Sequence, residues 1–219
     1  FPHLPMYRTD CMKSKLNNVL CAIAGFDSHV GFCQGMSFVA GALLSVLSEE
    51  DTFYLMATIW RKYDLHRLYC PGVRKLKEVL FVTEQLFVRK MPVLSRHMDT
   101  IGLHLQLFVV KWAMTIFSVD FELEFVRKIW DLFLLNGWVV VYQVTLAILK
   151  HEGPRLLKTR SLESSMQVVL DITKRTSSDL YQNRILKTSC KMVKESEMNK
   201  LVALYHSSVL ISEPVAGKN

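Results

Sequence analysis

Apolar residues recur at spacings of three and four along nearly the whole chain, and this period leaves little room for anything but packed α-helices. The clearest case begins at Leu123. Leu123, Val126, Ile129, Trp130, Phe133 and Leu134 form one stripe, with Glu124, Arg127, Lys128 and Asp131 between them. The pattern describes an amphipathic helix that ends near Gly137. The same period predicts helices over residues 13–24, 35–47, 72–90, 92–101 and 109–117. A further helix is expected from about 139 to 150, stopped by the Gly153-Pro154 pair, and two more over 161–174 and 179–205. Ser48 ahead of Glu49, Glu50 and Asp51 reads as an N-cap with acids in the first turn, where the helix dipole favours them. Val139-Val140-Val141-Tyr142 has strand propensity, but its continuation suits a buried helix. The expected class is all-α: an irregular multi-helix domain in two helical lobes, about 1–95 and 96–211, with a loose polar tail at 212–219.

Composition narrows the function classes. Half of the 219 residues are hydrophobic and 21% are charged, which excludes a disordered linker. Lys and Arg number 27 against 20 Asp and Glu, a net charge of +7. This mild basicity is spread over several segments, so it suits an anionic surface or an acidic partner better than nucleic acid. One local cluster, Arg61, Lys62, Arg67, Arg74, Lys75 and Lys77, reads as a solvated face or as a contact for acidic protein surfaces or anionic lipid. The five cysteines, Cys11, Cys21, Cys33, Cys70 and Cys190, include no Cys-x-x-Cys, so a reducing compartment such as the cytosol fits. His29 and Cys33 lie four apart, but nothing nearby completes a metal-ligand set. The longest uncharged run, 132–149, is broken by Asn136-Gly137 and reads as two buried helices rather than a membrane span. No signal peptide is visible, and Phe1 is no natural start residue, so the chain reads as part of a longer one.

Common catalytic signatures are absent: no phosphate loop, no Gly-x-Ser-x-Gly elbow and no His-Glu-x-x-His. His97 and His104 are spaced to share a helix face but read as ordinary polar residues. The segment with chemical content is His29-Val30-Gly31-Phe32-Cys33-Gln34-Gly35-Met36-Ser37-Phe38. Here a polar amide stands between two glycines at the start of an apolar helix. Gly31 and Gly35 allow tight turns and close approach. A Gln at such a place presents a donor and an acceptor, and can orient a water without taking its proton. The alternative is that Gln34 caps the following helix.

These residues carry a resemblance. Val30-Gly31-Phe32-Cys33-Gln34-Gly35-Met36-Ser37-Phe38 is similar to the glutamine motif of the TBC (Tre-2/Bub2/Cdc16) domain of Rab GTPase-activating proteins, which reads Val-Gly-Tyr-Cys-Gln-Gly-Met-Asn-Phe. Glu49-Glu50-Asp51-Thr52-Phe53 resembles the acidic start of that family's next helix. Lys111-Trp112 with Ile116-Phe117-Ser118 resembles its tryptophan helix, and Ile129-Trp130-Asp131-Leu132-Phe133 before Gly137 its Trp-Asp motif. The order holds from Phe1 to Leu149; the C-terminal residues resemble the family only in being helical.

The resemblance implies a GTPase activator working in trans on a Rab-family small GTPase. Gln34 then matches a glutamine finger that orients the attacking water, supported by Gly31, Phe32, Cys33, Gly35 and Met36. Phe32 stands where the family has Tyr, which keeps the ring and loses a hydroxyl. Trp112 and Trp130 are expected in the core, and Asp131 is expected to hold a neighbouring loop. The family's second finger is an arginine in Ile-x-x-Asp-x-x-Arg, followed at once by Thr-Phe-Pro, so Phe1-Pro2 places it just upstream of this chain. The one Asp-x-x-Arg present, Asp64 to Arg67, lacks the Ile and lies after the glutamine motif; Arg67 reads as a solvated or salt-bridged residue. No cofactor is expected in the chain, because GTP and Mg²⁺ would sit on the partner. The implied setting is cytoplasmic, with peripheral contact to organelle membranes through the parent protein. Two other readings stay open: a TBC-fold scaffold without activity, and an unrelated all-α protein in which Gln34 is buried or capping.

Overall fold

The computed structural model describes residues 5–212. A 3-10 turn, Pro5–Arg8, leads into α1 (Asp10–Phe26), α2 (Met36–Leu44), α3 (Glu49–Lys62), α4 (His66–Tyr69), α5 (Arg74–Lys90) and α6 (Pro92–Thr100). Then come α7 (Gln106–Thr115), α8 (Leu123–Asn136), α9 (Val139–Leu156), α10 (Leu162–Arg175), α11 (Asp179–Ser189) and α12 (Glu195–Ser212). No strand occurs among the described residues, so the fold is all-α as expected.

The helix starts follow capping chemistry. The Ser48 hydroxyl accepts the Asp51 N–H at 3.1 Å at the head of α3. Ser161 and Ser164 form a reciprocal capping box at the head of α10. Gly137 divides the uncharged run: α8 ends there at φ +65°, and an added Cβ would lie 2.8 Å from the Tyr63 ring. Tyr63 is fixed in turn by its hydroxyl, which donates to Leu134 O, and by its carbonyl, which accepts the Trp138 indole N–H. No helix among the described residues is long and apolar enough to cross a membrane.

α9 lies at the centre. It is apolar on almost every face, and it packs against α5, α6, α8, α10 and α11. α5 packs against α7, α9 and α12, so elements on both sides of the lobe boundary expected near residue 95 share one core. That boundary itself falls inside α6.

Three expectations about the elements are corrected. α9 does not stop before Gly153-Pro154 but runs through them to Leu156. The fully buried Glu152 carboxylate holds this last turn, accepting from Arg155 at 2.8 Å and pairing with Arg175 at 3.3 Å. The helix expected over 179–205 is two, α11 and α12. The chain breaks so that Met192 and Val193 can be buried, and Val193 O accepts the Gln143 side-chain amide at 2.8 Å. Third, α4 adds a helix that the period does not predict; four residues are too few to show one. The tail expected at 212–219 lies, beyond Ser212, outside the described residues.

Candidate functional site

The connection between α1 and α2 is built around Asp27. Its backbone carbonyl accepts the N–H groups of Val30 and Gly31, turning the chain sharply at the end of α1. Its carboxylate accepts the Trp60 indole N–H at 2.9 Å. That hydrogen bond holds the Asp27 carboxyl below the usual carboxylate range. Gly31 then adopts φ +62°, a left-handed conformation that costs glycine little. Phe32 and Cys33 continue in irregular backbone, and Gln34 and Gly35 form a turn immediately before α2.

Gly35 is the residue this turn cannot replace. Its φ is +113°, and an added Cβ would meet Met114 O at 3.4 Å and the Tyr69 ring at 3.5 Å. Both neighbours are held firmly. The Tyr69 hydroxyl donates to Met114 O at 2.7 Å, and its ring stacks on Trp60 at 5.7 Å between centroids. Burial pushes the Tyr69 hydroxyl far above its ordinary pKa, so it remains a donor at any working pH. A chain of contacts, Asp27 to Trp60 to Tyr69 to Met114, thus forms a floor beneath the turn.

On this floor the motif side chains divide. Met36 is fully buried, and its sulfur accepts the Cys33 N–H at 3.1 Å. Cys33 is half-buried, and desolvation raises its pKa, so it stays a neutral thiol rather than a nucleophile. Phe32 points out, 61% exposed. Gln34 is exposed, and its side chain has no hydrogen-bond partner among the described residues. The N-cap of α2 is Gly35, with no side-chain cap, so the capping alternative for Gln34 does not hold. The turn offers a free carboxamide on a braced backbone, able to donate and accept toward a docked group.

The tryptophan motifs lie in the core, as expected. Trp112 is 2% exposed and packs against Phe108, Phe117 and Phe121. Trp130 is nearly buried, and its indole N–H donates to Ser118 Oγ at 3.1 Å. After α7, Ile116 and Phe117 both take positive φ while fully buried, just past the Met114 carbonyl that abuts Gly35. Asp131 departs from expectation. It lies exposed on the outer face of α8 and holds no loop, with no hydrogen bond or ion pair among the described residues. Its helix position explains this, because the stripe that buries Ile129, Trp130 and Phe133 turns residue 131 outward.

Arg67 makes a loose 3.8 Å contact with exposed Asp64, the salt-bridged surface role expected for it. His97 and His104 do not share a helix face: His97 sits in α6 against Leu156 O, while His104 comes after the helix end. No group of three or more His, Cys, Asp or Glu that could hold a metal occurs among the described residues. Sequence reasoning missed the floor, Asp27, Trp60, Tyr69 and Met114. Trp60 and Tyr69 look like ordinary core residues in sequence, and the contact of Tyr69 with Gly35 is visible only after folding.

Known proteins are similar to this chain in sequence and in fold. The RabGAP-TBC family model, the Rab-GTPase-TBC domain, matches residues 1–157. The Rab GTPase-activating protein eat-17 of Caenorhabditis elegans is 30% identical over 159 residues, 72% of this chain and 18% of that protein. TBC1 domain family member 1 of Homo sapiens is 29% identical over 207 residues, 94% of this chain and 17% of that protein. The chain thus spans less than a fifth of the length of these relatives. Among solved structures, the Chlamydomonas flagellar RabGAP TBC domain superposes with a TM-score of 0.73 at 22% identity, covering 86% of this chain and 62% of that one. The Ypt/Rab-GAP domain of Gyp1p superposes with a TM-score of 0.72 at 18% identity, covering 93% and 70%. With the fold, the glutamine turn and the buried tryptophans in place, the family match settles the relationship: this chain belongs to the Rab-GTPase-TBC domain family.

Proposed function

We propose that this domain accelerates GTP hydrolysis on a Rab-family small GTPase, with Gln34 as the residue it inserts beside the nucleotide. The observation that carries the reading is the state of Gln34: exposed, unbonded, and mounted on a turn braced by Gly35, Tyr69 and Met114. GTP hydrolysis is largely a matter of positioning the water and stabilising developing charge, so a pre-placed carboxamide suits the first task. Phe32 beside it supplies an exposed apolar ring for the partner's surface. The second task needs an arginine, which the family pattern places just before Phe1. GTP and Mg²⁺ belong to the partner, and the domain needs no cofactor of its own.

One observation favours a second reading, a Rab-binding scaffold. The single Asp-x-x-Arg in the chain ends in Arg67, out of order and already facing Asp64. Single-turnover GTP hydrolysis by a panel of purified Rab proteins separates the two, using residues 1–219 and the chain extended upstream through the arginine motif. The activator reading expects the extended chain to accelerate one or more Rab proteins by about 10³-fold or more over residues 1–219 alone. Binding without acceleration by either form would replace it with the scaffold reading.

A further inference from the structure

A cavity of about 570 Å³ lies between the α4–α5 connection and the last turns of α12. Its lining brings Arg67, Arg74, Lys75, Lys77 and His206 around a single acidic side chain, Glu78. Glu78 is already satisfied: it is nearly buried and accepts from Lys75 Nζ at 2.5 Å, with His206 Nε2 at 3.0 Å. Lys75 also lies over the Trp138 ring. Arg74 and Lys77 are exposed and make no ion pair among the described residues, and the 3.8 Å contact of Arg67 with Asp64 is a weak surface one. Positive charge therefore converges on this cavity well beyond what Glu78 neutralises.

The helix that supplies most of it breaks an electrostatic preference that α3 respects. α3 opens with Ser48, Glu49, Glu50 and Asp51. α5 opens with no side-chain cap and no acid, placing Arg74 and Lys75 at the positive end of its dipole. A bound anion would relieve both the clustered cations and the dipole. At the rim Leu210 is 76% exposed, an apolar side chain beside a polyvalent cationic pocket. That pairing suits a phosphate group whose other end is hydrocarbon.

We propose that this cavity binds the phosphorylated headgroup of an anionic lipid, with Arg74, Lys77 and Arg67 on the phosphates and Leu210 against the bilayer interface. The volume lies in the range of small-ligand sites. One short helix joins the cavity to the glutamine turn: Arg67 lines the cavity, and Tyr69, two residues on, braces Gly35. A domain held by this pocket presents Gln34 from a fixed position relative to the membrane. The inference stands on the pocket alone and does not depend on GTPase activation.

The test is vesicle co-sedimentation of the full chain. The vesicles are phosphatidylcholine carrying either phosphatidylinositol bisphosphate or enough phosphatidylserine to match its charge. A parallel titration uses soluble inositol trisphosphate. The expected result is preference for the phosphoinositide vesicles. Arg74→Gln with Lys77→Gln should weaken this binding by roughly 25-fold, about fivefold per charge removed. The charge-matched control Lys187→Gln with Lys191→Gln, at positions outside the cavity, should change it by less than about twofold. Leu210→Ser should weaken vesicle binding and leave inositol trisphosphate binding unchanged. Equal loss in the control pair, or equal binding to the phosphatidylserine vesicles, would overturn the pocket as diffuse charge. Binding of inositol trisphosphate without vesicle binding would overturn the lipid assignment.

Discussion

The glutamine turn and the tryptophan core both resemble family motifs, and they use their residues in opposite ways. In the core, Trp112 and Trp130 are buried, and the indole N–H of Trp130 is spent on Ser118. In the turn, Phe32 and Gln34 face outward, and the Gln34 carboxamide is spent on nothing among the described residues. The core motifs secure the fold, and the turn motif holds its carboxamide out of the fold. The link between them is backbone. Trp112 lies two residues before Met114, whose carbonyl limits the space at Gly35. The difference teaches that a motif can be recognised equally well in sequence whether its side chains are buried in the core or held free at the surface; exposure and hydrogen-bond state tell the two apart.

Mutations can break this division. The largest effect on stability is expected in the core. Trp130→Ala should lower the free energy of unfolding by about 3–5 kcal/mol, through lost packing and an orphaned Ser118 hydroxyl. Urea denaturation checks it, and a loss under about 1 kcal/mol would show that the motif is not a core anchor. Next is the join between the two regions. Gly35→Ala must place a Cβ at φ +113° against Met114 O and Tyr69, costing about 1–3 kcal/mol. Unlike Trp130→Ala, it should also displace Gln34, so that the stimulation of Rab GTP hydrolysis by the upstream-extended chain falls even where the variant is fully folded by circular dichroism.

The smallest effect concerns the floor. Asp27 has its carboxyl pKa lowered by the Trp60 hydrogen bond, so its contribution is present above the unfolded value of about 3.9 and is lost as pH falls through the lower folded value. Asp27→Asn should therefore be less stable than the parent at neutral pH, with the gap closing in strong acid. Unfolding curves at both pH values measure it, and a gap that widens in acid would contradict the assignment.

Much of the fold was legible in the sequence, and the reasons are local. Ser48 with its three acids marks α3, and Asn136-Gly137 divides α8 from α9, because capping and left-handed turns depend on neighbours in the chain. The failures are tertiary. Pro154 does not end α9, since the Glu152 ion pairs with Arg155 and Arg175 hold its last turn, and residue 175 lies in another helix. The break between α11 and α12 has no glycine or proline to announce it and results from burying Met192 and Val193. At the site, Gln34 was legible through its motif, and its exposure was not. The same holds for Asp131: the motif made it conspicuous, and its helix face makes it a surface residue. The floor of Trp60, Tyr69 and Met114 left no sequence signal, because it joins α3, α4 and α7 across long separations.

The central claim is that Gln34 acts on the partner and contributes nothing to the fold. Single-turnover GTP hydrolysis by a responsive Rab protein, stimulated by the upstream-extended chain with and without Gln34→Ala, tests it most directly. The predicted result is a fall of about 10²-fold or more in the stimulated rate, with melting temperature and Rab affinity unchanged. A Gln34→Ala variant that stimulates hydrolysis as well as the parent would contradict it.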